Sequence, residues 1–151
     1  MPVRFKIRSL LPLALVITVL LVTQGVVSAP PIPNPVIYFV GTEAFQQGGK
    51  AFIRYRYDVF NKDQYPKEMF AAAPNLPPCG LNTKASRTWV DLYDQRGKRL
   101  YGFCAFSKPA NLGAIYFALE ESIVPPSWIY IELTDRQTNT KYKSNLADTT
   151  N

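Results

Sequence analysis

The chain of 151 residues contains no histidine and only two cysteines. Without histidine, neither a Ser-His-Asp triad nor a Cys-His pair can be assembled, and the commonest zinc ligand is missing. Gly-x-Ser-x-Gly and Ser-x-x-Lys do not occur, and no two glycines are separated by a single residue, so the glycine-rich loops that cradle phosphates are absent as well. No stretch keeps a helical period over any length. A dense basic stripe is also lacking. Basic residues outnumber acidic ones by 17 to 11, but Arg4, Lys6 and Arg8 belong to an N-terminal leader, which leaves 14 against 11, a net charge of +3. An excess of that size aids solubility and provides no footprint for nucleic acid. The expectation is a protein with no catalytic residues, no metal and no cofactor.

What is present begins with that leader. Met1 to Arg8 is basic, Leu10 to Val22 is almost wholly apolar, and the small residues Ser28 and Ala29 follow. This order is that of an export signal covering residues 1–28. Val27-Ser-Ala29 fits the small-residue pattern, while Pro30 directly after it disfavours cleavage there and leaves Ser28 as an equal choice, so the site falls within 25–29. The alternative is an uncleaved anchor, since Leu10 to Val27 is nearly long enough to span a bilayer. In both cases the rest of the chain lies outside the cytoplasm, secreted or periplasmic if cleaved, and any membrane contact is through the leader alone. The leader has no cysteine, which excludes lipid attachment at the new N-terminus.

Export decides how the cysteines are read. In an oxidising compartment, Cys79 and Cys104 point to a disulfide and not to a metal site. The bond would close a loop of about 25 residues and stabilise by about 3.5 kcal/mol in the chain-entropy model.

Residues 29–35 are a proline-rich lead, too poor in amide donors to enter a central strand. Val36–Val40 is a short β-rich run, and Gln47-Gly-Gly49 is a turn. Then comes the clearest alternation in the chain: Ala51, Ile53, Tyr55, Tyr57 and Val59 on one face, Phe52, Arg54, Arg56, Asp58 and Phe60 on the other. Residues 61–86, with four prolines and Cys79, form a long loop containing at most one helical turn near Lys67–Ala72. Arg87–Tyr93 is a strand with Thr88, Val90 and Leu92 opposite Trp89, Asp91 and Tyr93. Asp94-Gln-Arg-Gly97 turns the chain into Arg99–Phe106, where Gly102 suggests a bulge. Further strands are expected at Ala114–Ala118, around Ile129, Ile131 and Leu133, with Trp128, Tyr130 and Glu132 on the other side, and at Lys141–Ser144. Residues 145–151 read as a disordered tail.

Seven short strands with regular turn signals predict an all-β domain over residues 36–144, an antiparallel β-sandwich. In architecture this resembles immunoglobulin-like and fibronectin type III-like domains. Trp89 follows Cys79 at about the immunoglobulin interval, but Cys104 comes too early and Cys79 lies in a loop, so the core disulfide of that family is not carried over. The segment Leu76–Tyr93 with Tyr101-Gly-Phe-Cys104 is also similar to small secreted bacterial proteins.

The remaining clue is a set of side chains placed away from the aliphatic faces: Phe52, Arg54, Arg56, Trp89, Asp91, Tyr93, Trp128, Tyr130 and Glu132. Large rings on an outer face need a partner. Either the long loop, with Tyr65, Met69 and Phe70, folds over them, or they form a platform for a protein or carbohydrate of the envelope or exterior. Asp91 and Glu132 are the one carboxylate pair placed to cooperate as in a glycosidase; the expected use is as surface charges paired with Arg54, Arg56 or Lys141. Glu120 and Glu121, adjacent in the chain, point to opposite faces and cannot act together. No acidic spacing resembles a calcium loop. The functional expectation is an exported, non-catalytic binding or adhesion module, with a passive structural or accessory domain of the envelope as the alternative. The disulfide is checked by labelling thiols in the denatured, non-reduced exported protein: no label is expected, and two labelled cysteines would refute the bond.

Overall fold

The computed structural model describes residues 31–73, 75 and 85–150. The leader, the cleavage site and Cys79 lie outside the described residues. Cys104 follows the fourth strand, and among the described residues there is no free cysteine. The described residues are all-β, with eight strands among them: β1 (Ile37–Gln47), β2 (Lys50–Val59), β3 (Thr88–Asp94), β4 (Arg99–Phe103), β5 (Ile115–Glu120), β6 (Trp128–Asp135), β7 (Thr140–Lys143) and β8 (Ala147–Asp148). They form two antiparallel sheets, one ordered β1-β2-β5 and the other β4-β3-β6-β7, with β8 paired to the start of β6.

The hairpins are where local chemistry is plainest. Gly48 and Gly49 both have positive φ, 59° and 77°, the two-residue turn whose twist matches that of the flanking strands. It sets the register Gln47 to Lys50 and Phe45 to Phe52. At the β3–β4 turn, the Asp94 carboxylate accepts the N–H groups of Arg96 and Lys98, each at 2.8 Å. Gly97 supplies the φ of 84° that closes the turn. Side-chain alternation then does the rest. Tyr55, Tyr57 and Val59 of β2, Ile115 and Phe117 of β5, Val90 and Leu92 of β3, and Ile129, Ile131 and Leu133 of β6 are all buried in one cluster between the sheets. Each aliphatic side chain of this set, and Phe117, contributes roughly 1.5–3 kcal/mol by leaving water.

Four expectations are corrected. β1 does not stop at Val40: a bulge between Phe39 and Gly41 lets it continue to Gln47 beside β2. Gly102 is not the bulge of β4; the register shift lies between Leu92 and Tyr93, and Gly102 pairs regularly with Asp91. The long loop does not fold over an outer face in its described part. Tyr65, Met69 and Phe70 enter the core, two 3-10 turns at Lys62–Gln64 and Lys67–Phe70 bring them there, and Thr88 Oγ1 donates to the Met69 carbonyl at 2.6 Å. Last, residues 145–150, expected within a disordered tail, are built in. Ala147 and Thr149 are buried, and the Asn145 amide imitates a strand neighbour, accepting from Ile37 N at 2.8 Å and donating to Ile37 O at 3.0 Å. A hydrogen-bonding side chain at the right register satisfies a strand edge that no apolar pattern announces.

The described part of the lead, residues 31–35, stays outside the sheets, as its prolines require. Asn61 holds it by accepting from Val36 N and donating to Asn34 O, both at 2.9 Å, and Tyr65 donates its hydroxyl to the Pro33 carbonyl at 3.0 Å.

One ion pair is sunk into this scaffold. Arg87 grips Asp135 with Nε on Oδ1 at 2.7 Å and its second nitrogen on Oδ2, and the Asp135 side chain is only 2% exposed. The Arg87 hydrogen bond holds the Asp135 carboxyl down to about 2, from an ordinary 3.8. Because the folded value is the lower one, the pair stabilises the fold above the ordinary carboxylate range, by about 2 kcal/mol. That contribution fades as pH falls toward 2. Asp135→Asn is therefore expected to lower unfolding free energy by roughly 2 kcal/mol at neutral pH, with the difference from wild type shrinking below pH ~4. Denaturant titrations across that range check it, and a loss independent of pH would refute the assignment.

Candidate functional surface

The nine outer side chains singled out from the sequence do lie on outer faces, but on two of them, back to back across the core. Phe52, Arg54 and Arg56 stand on the β1-β2-β5 sheet. Trp89, Asp91, Tyr93, Tyr130 and Glu132 stand on the other sheet, with Trp128 at its end. They do not form one site.

On the β3-β6-β7 face, the sequence neighbours are paired off internally. Asp91 and Glu132 are direct cross-strand partners, yet each is held by a cation: Arg99 Nε reaches Asp91 at 2.6 Å and Lys141 reaches Glu132 at 2.8 Å. Lys141 is the expected partner of Glu132, whereas Asp91 takes Arg99 in place of Arg54 or Arg56. The hydrogen bond to Glu132 raises the Lys141 pKa above its ordinary value. Gly102 explains the Arg99 geometry, because a Cβ there would lie 1.9 Å from the guanidinium and 2.6 Å from the Asp91 carboxylate. Tyr93 and Tyr130 stack at 5.2 Å. Lys143 lies 4.0 Å from the centre of the Tyr130 ring, and Arg136 lies 4.4 Å from that of Trp89. Trp89 also donates its indole N–H to the Ser86 carbonyl at 3.1 Å. A cation over Tyr130 and another over Trp89 remove apolar surface from water without a covering loop.

The β1-β2-β5 face is arranged differently. Phe45 and Phe52 stack at 5.4 Å across the hairpin. The Arg54 guanidinium sits between Phe45 and Tyr116, 4.9 and 4.6 Å from their ring centres, and its Nη1 donates to Glu43 at 3.0 Å. Its Nε is buried with no hydrogen-bond partner among the described residues. The strip does not end at the sheet edge. Tyr116 stacks on Tyr101 at 5.5 Å and meets Phe103 edge-on at 5.3 Å, and Phe103 stacks on Phe106 at 5.2 Å. Register gives Tyr101 and Phe103 the faces of Leu92 and Val90, but β4 is the edge strand of its sheet and overhangs, so they turn to β5. The hydrogen bond with Tyr116 pushes the Tyr101 phenol up, while Tyr101 remains 41% exposed. Arg56, exposed and cross-strand from Tyr116, has no ion-pair partner among the described residues.

Phe45, Tyr101, Phe103 and Tyr116 were not singled out from the sequence. Phe45 lies beyond the β-rich run Val36–Val40, although the two-residue turn at Gly48-Gly49 implies its pairing with Phe52. Tyr116 sits in the unbroken apolar run Ile115–Leu119, where alternation carries no information about facing.

Comparison of the chain with family models, with curated proteins and with solved structures gives no match.

The two tryptophans should report the difference in cover. Trp128 is 44% exposed, and Trp89 lies beneath Arg136. With single-tryptophan variants Trp89→Phe and Trp128→Phe, an aqueous quencher is expected to reach Trp128 with a clearly steeper Stern–Volmer slope than Trp89. Equal slopes would contradict the arrangement.

Proposed function

We propose that this protein is an exported, non-catalytic binding or adhesion module that holds a protein or carbohydrate of the envelope or exterior through an aromatic strip. The observation that carries this is the continuous run of rings from Phe52 and Phe45 through Arg54 and Tyr116 to Tyr101 and Phe103. No described residue from the long loop covers it. Half-exposed rings offer wide contact at little entropic cost, and aromatic and arginine side chains carry most of the energy in binding surfaces. Arg56, with no acid of its own, adds a preference for a ligand bearing an anionic group. Export rests on the basic, apolar and small-residue order of residues 1–28, which places the domain in the periplasm or outside the cell.

An immunoglobulin-like assignment is supported by strand order. β1, β2 and β5 stand where strands A, B and E do, and β3, β6 and β7 where C, F and G do; β4 lies beside C, where variable-type domains add strands. The second reading, a passive accessory domain, is favoured by the opposite face, where Lys143 and Arg136 already cap Tyr130 and Trp89.

The test is retention of the exported protein on immobilised envelope polysaccharide and on immobilised envelope proteins, compared with a Phe45→Ala/Tyr101→Ala variant. Wild type is expected to be held on one of the two supports and the variant about tenfold less or not at all, with both unfolding cooperatively. Retention unaffected by the substitutions, or none for wild type on either support, overturns the binding reading in favour of the accessory one.

A further inference from the structure

An edge strand exposes a row of unpaired N–H and C=O groups, and proteins usually keep such edges short, charged or covered. β4 and β5 turn their edges toward each other, with Tyr116 packed on Tyr101 and Phe103. β7 is four residues long and carries Lys141 and Lys143. β1 is different. It runs for 11 residues, its start is closed by Asn145, and its stretch from Gly41 to Gln47 contains neither lysine nor proline.

The register says which groups face outward. The Ala51 carbonyl accepts from Glu121 N at 3.0 Å, on the β5 side, so the pair Gln46–Ala51 is not mutually hydrogen-bonded. By the alternation of antiparallel ladders the same holds for Ala44–Ile53 and Thr42–Tyr55. The N–H and C=O groups of Thr42, Ala44 and Gln46 therefore point away from β2, and no described residue bonds to them.

We propose that this edge pairs with the same edge of a second copy of the chain, antiparallel about a two-fold axis at Ala44. The strand is self-complementary in that register. Thr42 meets Gln46 of the second copy, both polar, Ala44 meets Ala44, and every outward group finds a partner in both chains. Glu43 lies opposite Phe45 of the second copy and is already neutralised by Arg54 at 3.0 Å in its own chain. A shift to a two-fold axis at Glu43 would set like charges face to face, and a shift to Phe45 would leave Thr42 unpaired. The result is a continuous sheet across two copies, with the aromatic strip repeated on one face. The seam is short and buries less than a standard interface, so self-association is weak and concentration-dependent.

The proposal stands apart from the binding reading, because the Ala44 side chain lies on the sheet face opposite the strip. Its test is sedimentation of the exported protein over a wide range of concentration, with hydrogen exchange of the Thr42, Ala44 and Gln46 amides at both ends of the range. Wild type is expected to pass from one chain to two as concentration rises, with those amides becoming protected. Ala44→Pro removes an outward donor that β2 does not use, and Ala44→Lys sets like charges across the axis while leaving the backbone intact; each is expected to weaken self-association about tenfold or more. A wild type that stays monomeric at the highest concentration overturns the proposal, as does a dimer that both variants form equally well. Protection of these amides only when envelope proteins are added also overturns it, and assigns the edge to a foreign strand.

Discussion

Successive side chains of a β-strand point to opposite faces, and in this protein that single constraint is applied to two sheets that share one buried side. Every residue on β2, β3, β5 and β6 is thereby either committed to the core or displayed. Ile129, Ile131 and Leu133 fill the interior while Tyr130 and Glu132 between them are turned out. The core is aliphatic and aromatic on its inner side, with buried polar side chains such as Ser86, Thr88 and the Arg87–Asp135 clamp held by hydrogen bonds. The displayed side chains then have to be accommodated without a third layer.

The two outer faces meet that demand by different means. On the β3-β6-β7 face, basic side chains reach over rings, Lys143 onto Tyr130 and Arg136 onto Trp89, and acids are tied to neighbours on adjacent strands. On the β1-β2-β5 face one cation, Arg54, is shared between two rings, and the strip runs on past the sheet edge to Tyr101. One cation between two rings leaves part of the strip open to water, and Tyr101 at its end is 41% exposed.

Closure of the sheet edges shows how much depends on residues far apart in the chain. The Asn145 amide stands in for a strand beside Ile37, 108 positions earlier. Met69 and Phe70 come from a proline-rich segment with no regular period, yet they are among the most buried residues of the fold. Neither assignment could follow from local pattern, because an asparagine in a polar stretch and a phenylalanine in a loop look alike whether they are docked or not. Only the position of the opposing surface distinguishes them.

Where a property is local, the sequence carries it. The alternation in Ala51–Val59 and Thr88–Tyr93, the paired glycines at 48 and 49, and the turn at Asp94–Gly97 specify strand, facing and hairpin through backbone geometry within a few residues, and the missing histidine removes whole classes of chemistry without reference to any fold. Sheet order belongs to the tertiary structure. It alone sends Phe52 and Trp89 to opposite sides of the molecule, lets β1 run through its bulge to carry Phe45, and brings Tyr116 and Tyr101 together at a seam between sheets. Such contacts arise from hydrogen-bonded pairing over long separations, which the period-two pattern permits in many arrangements and which only the packed core selects.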